Sequence, residues 1–498
     1  MVWPHLVRRW GCWRCCIFDS FDNVQVAKRA LVDKAASELQ ALYDERQFQG
    51  VVDRFESTRQ SVAADRIDHV AALQLAAQAY LRLSDYSSSA NTFLAAAAIH
   101  ESSNSPGASV CLRNAFSALQ RLSHHAAAEW VALRSLSLPR ECEGDVELLR
   151  FAVASALKRG DLSAATCIIA AASLYGATRS VALETLLDIA FQPAKYGATD
   201  APIGPTNADV GSGDPKLSII LCSRDDKRYA RFVAECERAL CSSHFEIVRI
   251  KDAESMCEGY NRGTDAATGE LFVYCHDDIE FITNGLHRAV IEALAEFDVA
   301  CCVGSSVVDG ASWICHDASN SQGWIADADP QSGLYSVGVI GVPNAQSLLA
   351  AGDGFFIACR KAAAQALRWD QVTFDSFHLY DIDFCLRARN SGFRIGVVRG
   401  LMVNHLSRGS FDAVWHEHAQ RFLQKHNIPS GPYAVNQWIS VRVGTRAEAA
   451  RVAHNLITWL PADFQQRVLR LQECNFEVAC REFPALAQFQ SSAAELAT

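Results

Sequence analysis

The chain has 498 residues, of which half are hydrophobic, and this length predicts about three domains with sizeable cores. Its formal net charge is −10. This acidic balance argues against general binding to nucleic acids or to anionic membranes, because both leave a basic footprint on a sequence. It does not exclude a phosphorylated small ligand that is held by a few local cations and a metal.

The N-terminal region shows no targeting signal. No run of about 18 apolar residues predicts a transmembrane span, and residues 1–20 lack the apolar stretch of a signal peptide. The 18 cysteines are scattered, as reduced thiols in a cytoplasmic protein are. One cluster, Cys12-Trp-Arg-Cys15-Cys16, has no second pair to complete a zinc site. We therefore expect a cytoplasmic protein whose residues 1–24 form an N-terminal extension.

Residues 25–190 are rich in Ala, Leu, Ser and Arg and show helical periodicity. Bulky anchors follow short polar turns at intervals of 38, 39 and 37 residues, at Phe48, Tyr86, His125 and Leu162. Periods of this size are typical of stacked helix pairs. The pattern resembles degenerate tetratricopeptide repeats, and a generic helical bundle is the alternative. The resemblance implies an all-α helical-repeat domain that recruits a protein partner.

Residues 191–215 carry four prolines and few bulky apolar residues, which predicts a linker. From residue 216 to residue 428 strands alternate with helices, which predicts an α/β domain with a mainly parallel central sheet. Residues 429–498 are predicted to form a mostly helical C-terminal extension. We predict strands at 217–222, 245–250, 271–275, 299–303, 355–359, 395–398 and 401–403, and helices at 228–241, 255–268, 286–297, 381–390 and 412–426.

The strand at 271–275 is a continuous apolar run, typical of a buried parallel strand, and it ends on His276-Asp277-Asp278. Ligands bind beyond the carboxyl ends of such strands. Adjacent carboxylates repel each other there unless a cation intervenes, and hard divalent cations prefer oxygen ligands. Because side chains alternate along an extended chain, His276 and Asp278 should face one site and Asp277 should point the other way.

Four segments in chain order resemble the large family-two class of glycosyltransferases, and within it the bacterial branch with a shortened acidic motif. They are Ser223-Arg224 after the first strand, Gly259-Tyr-Asn261-Arg262-Gly263, His276-Asp277-Asp278, and Asp381-Ile-Asp383-Phe-Cys-Leu-Arg387 with the later His405. The resemblance covers residues 216–427. It implies the GT-A fold and the transfer of a sugar from a nucleotide-diphospho-sugar to an acceptor hydroxyl, with inversion.

The resemblance also implies a metal. In that family an Asp-x-Asp triplet holds a divalent cation on the donor diphosphate, and here His276 replaces the first acid. Asp278 is the expected ligand, with Asp277 as second choice and His276 and His405 as further ligands. Imidazole suits magnesium less well than carboxylate does, which favours manganese. The alternative is that these acids cap the next helix or lie in a solvated loop.

Asp381 matches the family's general base, which deprotonates the acceptor hydroxyl. On a helix, residues two apart point in different directions, so Asp381 and Asp383 cannot both serve one site. Arg387 lies one turn after Asp383 and is expected to pair with it. The family's preceding Glu is Tyr380 here, and an N-cap role is the alternative for Asp381.

The remaining donor contacts are expected in turns at the sheet edge. Trp313, Trp324 and Tyr335 either stack on an acceptor sugar or pin a loop to the core. The residues that the resemblance assigns to the donor are Ser223, Arg224, Asp252, Asn261, Arg262, Asp277 and Asp353.

The sequence therefore predicts a metal-assisted glycosyltransferase that takes a glycan, a lipid-linked molecule or a protein as acceptor. The alternative is a non-catalytic helical-repeat scaffold whose α/β domain has decayed, as the two replaced acids would allow. A Rossmann dehydrogenase fits less well, because no Gly-rich motif follows the first strand.

Overall fold

The computed structural model describes residues 36–59, 66–103, 105, 107–136, 138, 145–174, 178–201, 213–240, 244–315, 317–329, 331–344, 348–407, 411–429 and 438–487. The predicted N-terminal extension and its cysteine cluster lie outside these residues. The chain forms two compact units, one from residues up to 155 together with those from 468 onward, the other from residues 156–467. None of the described helices combines the length and the apolar character needed to span a bilayer.

The first unit is helical wherever it is described. Buried alanines such as Ala76, Ala97 and Ala115 line its helix contacts, and small side chains allow helix axes to approach closely. Its helices are α1 (36–44), α2 (Phe48–Arg59), α3 (Arg66–Arg82), α4 (Tyr86–Ser102), α5 (Gly107–Arg121), α6 (His125–Leu136), most of α7 (Asp145–Lys158), and the part of α17 (Phe464–Glu482) from residue 468.

The same turn precedes every second helix from α2 to α8 (Leu162–Ala172). These helices begin at the four sequence anchors Phe48, Tyr86, His125 and Leu162. Two residues earlier the backbone has a positive φ each time, at Arg46, Ser84, Ser123 and Gly160. The repeat is therefore a property of the local structure as well as of the sequence, whereas its relation to the tetratricopeptide family stays a prediction.

Helix α17 packs against α6 in the first unit. Glu482 accepts hydrogen bonds from the backbone N–H groups of Ala126 (2.8 Å) and Ala127 (3.2 Å). These groups lie in the first turn of α6, where free N–H donors and the helix dipole favour a carboxylate. The rings of Trp130 and Phe476 lie 5.4 Å apart. The end of the described chain thus covers one face of the repeats.

The second unit contains thirteen described strands. They are β1 (Leu217–Cys222), β2 (Phe245–Ile250), β3 (Leu271–Cys275), β4 (Ile279–Phe281), β5 (Val299–Cys301), β6 (Val303–Ser305), β7 (Ser321–Ala328), β8 (Tyr335–Gly341), β9 (Ala351–Gly352), β10 (Phe356–Arg360), β11 (Ile395–Val397), β12 (Val403–His405) and β13 (Ile439–Val443). Its helices after α8 are α9 (Arg179–Phe191), α10 (Asp226–Leu240), α11 (Met256–Ala266), α12 (Leu286–Glu296), α13 (Lys361–Leu367), α14 (Tyr380–Asn390), α15 (Ala413–His426) and α16 (Arg446–Trp459).

The main sheet has six strands in the order β11-β5-β10-β3-β1-β2. Neighbours are parallel except at β10, which runs antiparallel to both β3 and β5. The sheet is therefore mixed, with one reversed strand in the mainly parallel order that the sequence predicts. Strand β3 is fully buried, as its apolar run requires. Helix α11 approaches β1 so closely that a Cβ on Gly263 would collide with Ile220. The glycine therefore permits this contact.

A second sheet joins β13-β8-β7-β12-β4, and β6 pairs with β7 on one side and with β9 on the other. Most of this sheet is not predicted by the sequence pattern. The β7–β8 hairpin comes from residues 305–350, β13 comes from the tail predicted as mostly helical, and the predicted strand 299–303 divides between the two sheets. Strands β4, β6 and β9 have two or three residues and carry no measurable periodicity. Strands β7 and β8 are longer but contain glycines, which weaken a strand pattern.

Helix α9 and helix α16 pack in the second unit. Arg179 donates to the carbonyls of Ser321 (3.1 Å) and Ile340, which lie on β7 and β8. Asn455 on α16 donates to the carbonyl of Ala190 at 2.9 Å and accepts from the N–H of Ala201 at 2.8 Å. The division into domains at 25–190, 191–215, 216–428 and 429–498 stays a prediction.

Candidate functional site

The candidate site lies at the carboxyl edge of the main sheet. Strands β1 and β3 are parallel and in register, from Leu217 opposite Leu271 onward, so both end at this edge. Strand β10 is antiparallel, with Phe356 opposite Cys275, and therefore begins there. The turns after β1 and β3 and the turn before β10 consequently meet, as neighbouring parallel and antiparallel ends must.

Three potential metal ligands converge beyond β3. His276 and Asp278 follow that strand, and His405 is the last residue of β12, which pairs with β4. His276 Nδ1 lies 3.1 Å from His405 Nε2, and Asp278 Oδ1 lies 3.8 Å and 3.5 Å from these two atoms. These separations suit neighbouring ligands on one ion with bonds of about 2.0–2.2 Å. Among the described residues this is the only such group of three.

The protonation states of His276 and Asp278 suit a cation. Burial and the neighbouring His405 lower the pKa of His276 to about 4, so this imidazole is neutral at pH 7 and keeps a lone pair. Burial alone would raise the pKa of Asp278, but the hydrogen bond from His405 holds it well below its usual range. Neutral imidazole and ionised carboxylate are the protonation states that bind metals. For His405, burial alone would lower the pKa, but its hydrogen bond to Asp278 and the charge of Asp353 raise it above the ordinary value, so an ion would have to displace that proton.

Tyr380 ties this cluster to the second acidic segment. Its hydroxyl lies 2.7 Å from His276 Nε2 and donates to the carbonyl of Gly354 at 3.4 Å. Tyr380 begins α14 and is almost fully buried. Burial, together with the nearby Asp381, holds the pKa of its phenol well above the ordinary value, so the hydroxyl keeps its proton.

Asp381 lies in the first turn of α14, beside the turn that precedes β10. The N–H of Gly354 donates to Asp381 Oδ2 at 2.9 Å. Burial, and after it the charge of Asp353, raise the pKa of Asp381 to about 7. Asp353 itself accepts a hydrogen bond from the indole N–H of Trp313 at 2.8 Å. Leu379 is the N-cap of α14, so Asp381 does not fill that alternative role.

Asp383 has a structural role. Its carboxylate is buried and pairs with Arg387 (2.8 Å), Lys425 (2.6 Å) and His426 (2.8 Å), which ties α14 to α15. The predicted pair between Asp383 and Arg387 is therefore present. Of the two aspartates in this segment, only Asp381 reaches the sheet edge.

A cavity of about 220 Å³ opens on the other side of the Asp277–Asp278 pair. Asp277 lines it, accepts from Ser223 Oγ at 2.7 Å and lies 3.9 Å from Arg228. Arg224 lies over the ring of Phe377 at 5.7 Å and donates to the carbonyl of Ala253. The cavity lining is Cys222, Arg224, Asp225, Arg228, Ile250, Ala253, Asp277 and Phe377.

Three of the predicted donor residues have other partners. Asp252 pairs with Arg262 at 2.7 Å, and both side chains are largely exposed. The Asn261 side chain donates to the carbonyl of Trp369 and accepts from the Trp369 N–H, each at 2.9 Å. Its amide therefore fixes a loop, and neither it nor the Asp252–Arg262 pair lines the cavity.

Four participants were missed, or only partly foreseen, from the sequence. Phe377 and Arg228 line the cavity without belonging to any recognised segment. Trp313 was expected to stack on a sugar or to pin a loop to the core; it packs against the core and also donates to Asp353. Tyr380 was noted only because it replaces the family's Glu. This replacement, directly before Asp381, was the sequence's one indication that Tyr380 takes part in the site.

Residues 218–430 match a family described as "Glycosyltransferase like family". The comparison with curated proteins gave no match. Among the solved structures that match is a mannosyltransferase from Pyrobaculum calidifontis, in complex with GDP-Man and Mn2+, at 12% identity, 66% coverage of this chain, 91% coverage of that chain and a TM-score of 0.28. The family match confirms the predicted resemblance, and the mixed α/β sheet confirms the predicted GT-A fold class.

Proposed function

Since residues 218–430 are a glycosyltransferase-like domain, we propose that this chain moves a sugar from a nucleotide-diphospho-sugar to an acceptor hydroxyl with inversion. Asp381 is the general base, and His276, Asp278 and His405 hold a divalent cation. A bound cation would neutralise the charge that develops on the departing diphosphate. The convergence of two imidazoles and one carboxylate, with their ligand atoms within 4.8 Å of one another, supports this assignment.

The observation that carries the proposal is the hydrogen bond between His276 and Tyr380. It joins the residue next to Asp277-Asp278 to the residue next to Asp381, across 104 positions of sequence. Two acidic segments at one sheet edge are what a transfer site needs, because the donor diphosphate and the acceptor hydroxyl must meet. If the two acidic segments lay on opposite faces of the sheet, they could not act on the same donor and acceptor.

The properties of Asp381 suit a general base. A base works best with a pKa near the operating pH, and burial with Asp353 nearby raises the pKa of Asp381 to about 7. The N–H of Gly354 fixes one carboxylate oxygen and so orients the group. In the reaction Asp381 takes the proton of the acceptor hydroxyl, the acceptor oxygen bonds to the anomeric carbon, and the nucleoside diphosphate leaves with the bonding pair.

The cavity beside Asp277 is the proposed nucleotide pocket. It combines the guanidinium groups of Arg224 and Arg228 with the half-exposed ring of Phe377. Guanidinium groups bind phosphates and stack on planar rings, and an aromatic ring offers a platform for a nucleobase. The repeats of the first unit are proposed to bind a protein partner or a protein-linked acceptor.

A donor screen with the full-length chain tests the function. Release of nucleoside diphosphate is measured for uridine-, guanosine- and thymidine-diphospho-sugars with Mn2+ or Mg2+. We expect turnover of at least one donor and a loss of about 10²–10⁴-fold in Asp381→Asn. Asp265→Asn is the control, because Asp265 is an exposed surface partner of Arg368. No turnover, or equal rates in both variants, would make the proposal wrong.

The alternative, a non-catalytic scaffold, would explain the replacement of the two family acids by His276 and Tyr380 as decay of the site. A decayed site would lose acids without compensation, and its polar groups would lack partners. Here the two replaced positions, His276 and Tyr380, contact each other at 2.7 Å, and Gly354 still binds Asp381. This pairing favours a rebuilt site over a decayed one.

A further inference from the structure

The hydroxyl of Tyr380 has one proton and two neighbours. It lies 2.7 Å from His276 Nε2 and 3.4 Å from the carbonyl oxygen of Gly354. A carbonyl can only accept, whereas an imidazole nitrogen donates or accepts according to its tautomer. Both contacts are satisfied together only if Tyr380 donates to Gly354 and accepts from the N–H on His276 Nε2.

This arrangement decides the tautomer of His276. With the proton on Nε2, Nδ1 carries the lone pair, and Nδ1 is the atom that faces His405 Nε2 and Asp278 Oδ1. The opposite tautomer would direct an N–H into the ligand cluster, where it would block an ion. The hydrogen bond made by the outer nitrogen sets which nitrogen of a histidine is free to bind a metal.

We propose that Tyr380 is a positioning residue that fixes His276 with its Nδ1 lone pair aimed at the metal site. The inference rests on the proposed function, because it requires an ion held by His276, Asp278 and His405. Tyr380 does not touch the ion or the substrate; it acts only through His276.

A neutral partner suits this place. Asp381 and Asp353 already lie close enough for the charge of Asp353 to act on Asp381. A carboxylate in place of Tyr380 would also accept from His276, but it would add a third negative charge beside the base. The phenol supplies the same acceptor without that charge. A neutral hydrogen-bond acceptor at position 380 therefore matches a histidine at position 276.

Binding of Mn2+ alone tests the inference without any need for activity. An electron paramagnetic resonance titration measures the loss of the free Mn2+ signal for the wild type, Tyr380→Phe, His276→Asp and the double variant. Removal of a partner to a ligating histidine costs about 10–100-fold in metal affinity, and we expect a loss in this range for Tyr380→Phe. In the His276→Asp background, which has no tautomer to fix, the same change should cost less than about 3-fold.

The melting temperature without metal controls for folding, since Tyr380→Phe removes only one buried hydroxyl. A variant that folds as the wild type does and still binds Mn2+ equally well overturns the positioning role and leaves the metal site intact. Equal losses in both backgrounds would also overturn it, because the effect would not pass through His276. A wild type that binds no Mn2+ overturns both the inference and the metal-assisted function.

Discussion

The backbone N–H of Gly354 donates to Asp381 Oδ2 at 2.9 Å, and no side chain fits between them. A Cβ on Gly354 would lie 2.5 Å from the hydroxyl oxygen of Tyr380 and 2.8 Å from the Cβ of Asp381. The turn before β10 and the first turn of α14 are therefore joined by this hydrogen bond, and the close approach is possible only because residue 354 has no side chain. This contact sets the position of the proposed base.

Gly354→Ala should displace Asp381 and Tyr380, because a Cβ at this position would overlap with both side chains. We expect a loss of about 10²-fold in kcat, the usual cost of a misplacement of about 1 Å, and a destabilisation of about 1–3 kcal/mol from overpacking. Gly310→Ala is the matched control, since a Cβ there meets nothing within 4 Å. Equal kcat values for both variants would argue against a tight contact at Gly354.

Asp381→Asn should stabilise the protein at high pH. The pKa of Asp381 is raised to about 7 in the folded chain, from about 3.9 in an unfolded one. Its favourable contribution is complete below pH 3.9 and is lost as the pH rises to 7. The melting temperature of Asp381→Asn should therefore exceed that of the wild type at pH 8, and the difference should shrink toward pH 5.

The same pKa predicts the pH profile of activity. Wild-type kcat/KM should rise as the pH passes through about 7, because the base must be ionised to accept the acceptor proton. A profile that is flat between pH 5.5 and 8 with a transferable donor, measured at fixed ionic strength and metal concentration, would exclude Asp381 as the titrating base.

Asp277 and Asp278 should differ in function although they are adjacent. Asp278 belongs to the ligand cluster, whereas Asp277 faces Ser223 and the cavity. Asp278→Asn should weaken Mn2+ binding by at least about 10-fold, since it removes the only carboxylate of the set. Asp277→Asn should leave Mn2+ affinity within about 3-fold of wild type and raise the KM for the donor. The reverse result would exchange their roles.

Phe377→Leu should weaken nucleotide binding. The ring lies under Arg224 and lines the cavity, and a lost stacking contact costs about 1–3 kcal/mol. Calorimetry with nucleoside diphosphates should show a loss of about 10-fold in affinity. Phe411→Leu is the control, because that ring is 68% exposed and does not line the cavity. Equal affinities for both variants would show that the nucleobase does not bind against Phe377.

Asp383→Asn should affect folding and not chemistry. It would leave Arg387, Lys425 and His426 without their shared buried carboxylate, and a broken buried ion pair costs about 3–5 kcal/mol. The exposed Asp265 pairs with Arg368, so Asp265→Asn should cost at most about 1 kcal/mol. Denaturant unfolding compares the two. A small effect of Asp383→Asn would contradict a structural role for this aspartate.

The first strands of the main sheet were predictable because β1, β2 and β3 have five or six residues and are separated by helices. These strands lie at the predicted residues, and the continuous apolar runs of β1 and β3 are buried as such runs require. The repeat anchors were predictable for a similar reason, since each one begins a helix after the same turn. The second sheet was not, because β4, β6 and β9 are too short to show a period and glycines interrupt the longer β7 and β8.

The sequence by itself determined the helices of the repeats, the first strands of the main sheet and the kinds of side chain that end those strands, because hydrophobic periodicity and local turn chemistry act over a few residues. Only the tertiary structure decided which of those side chains meet. His276 and His405 are 129 positions apart, and His276 and Tyr380 are 104 apart. Such contacts follow from strand order and register, which are fixed by packing of the whole sheet, and no local pattern carries that information. For the same reason, Asn261 and Asp252, which resemble donor contacts in the sequence, bind a loop and a neighbouring arginine in the fold.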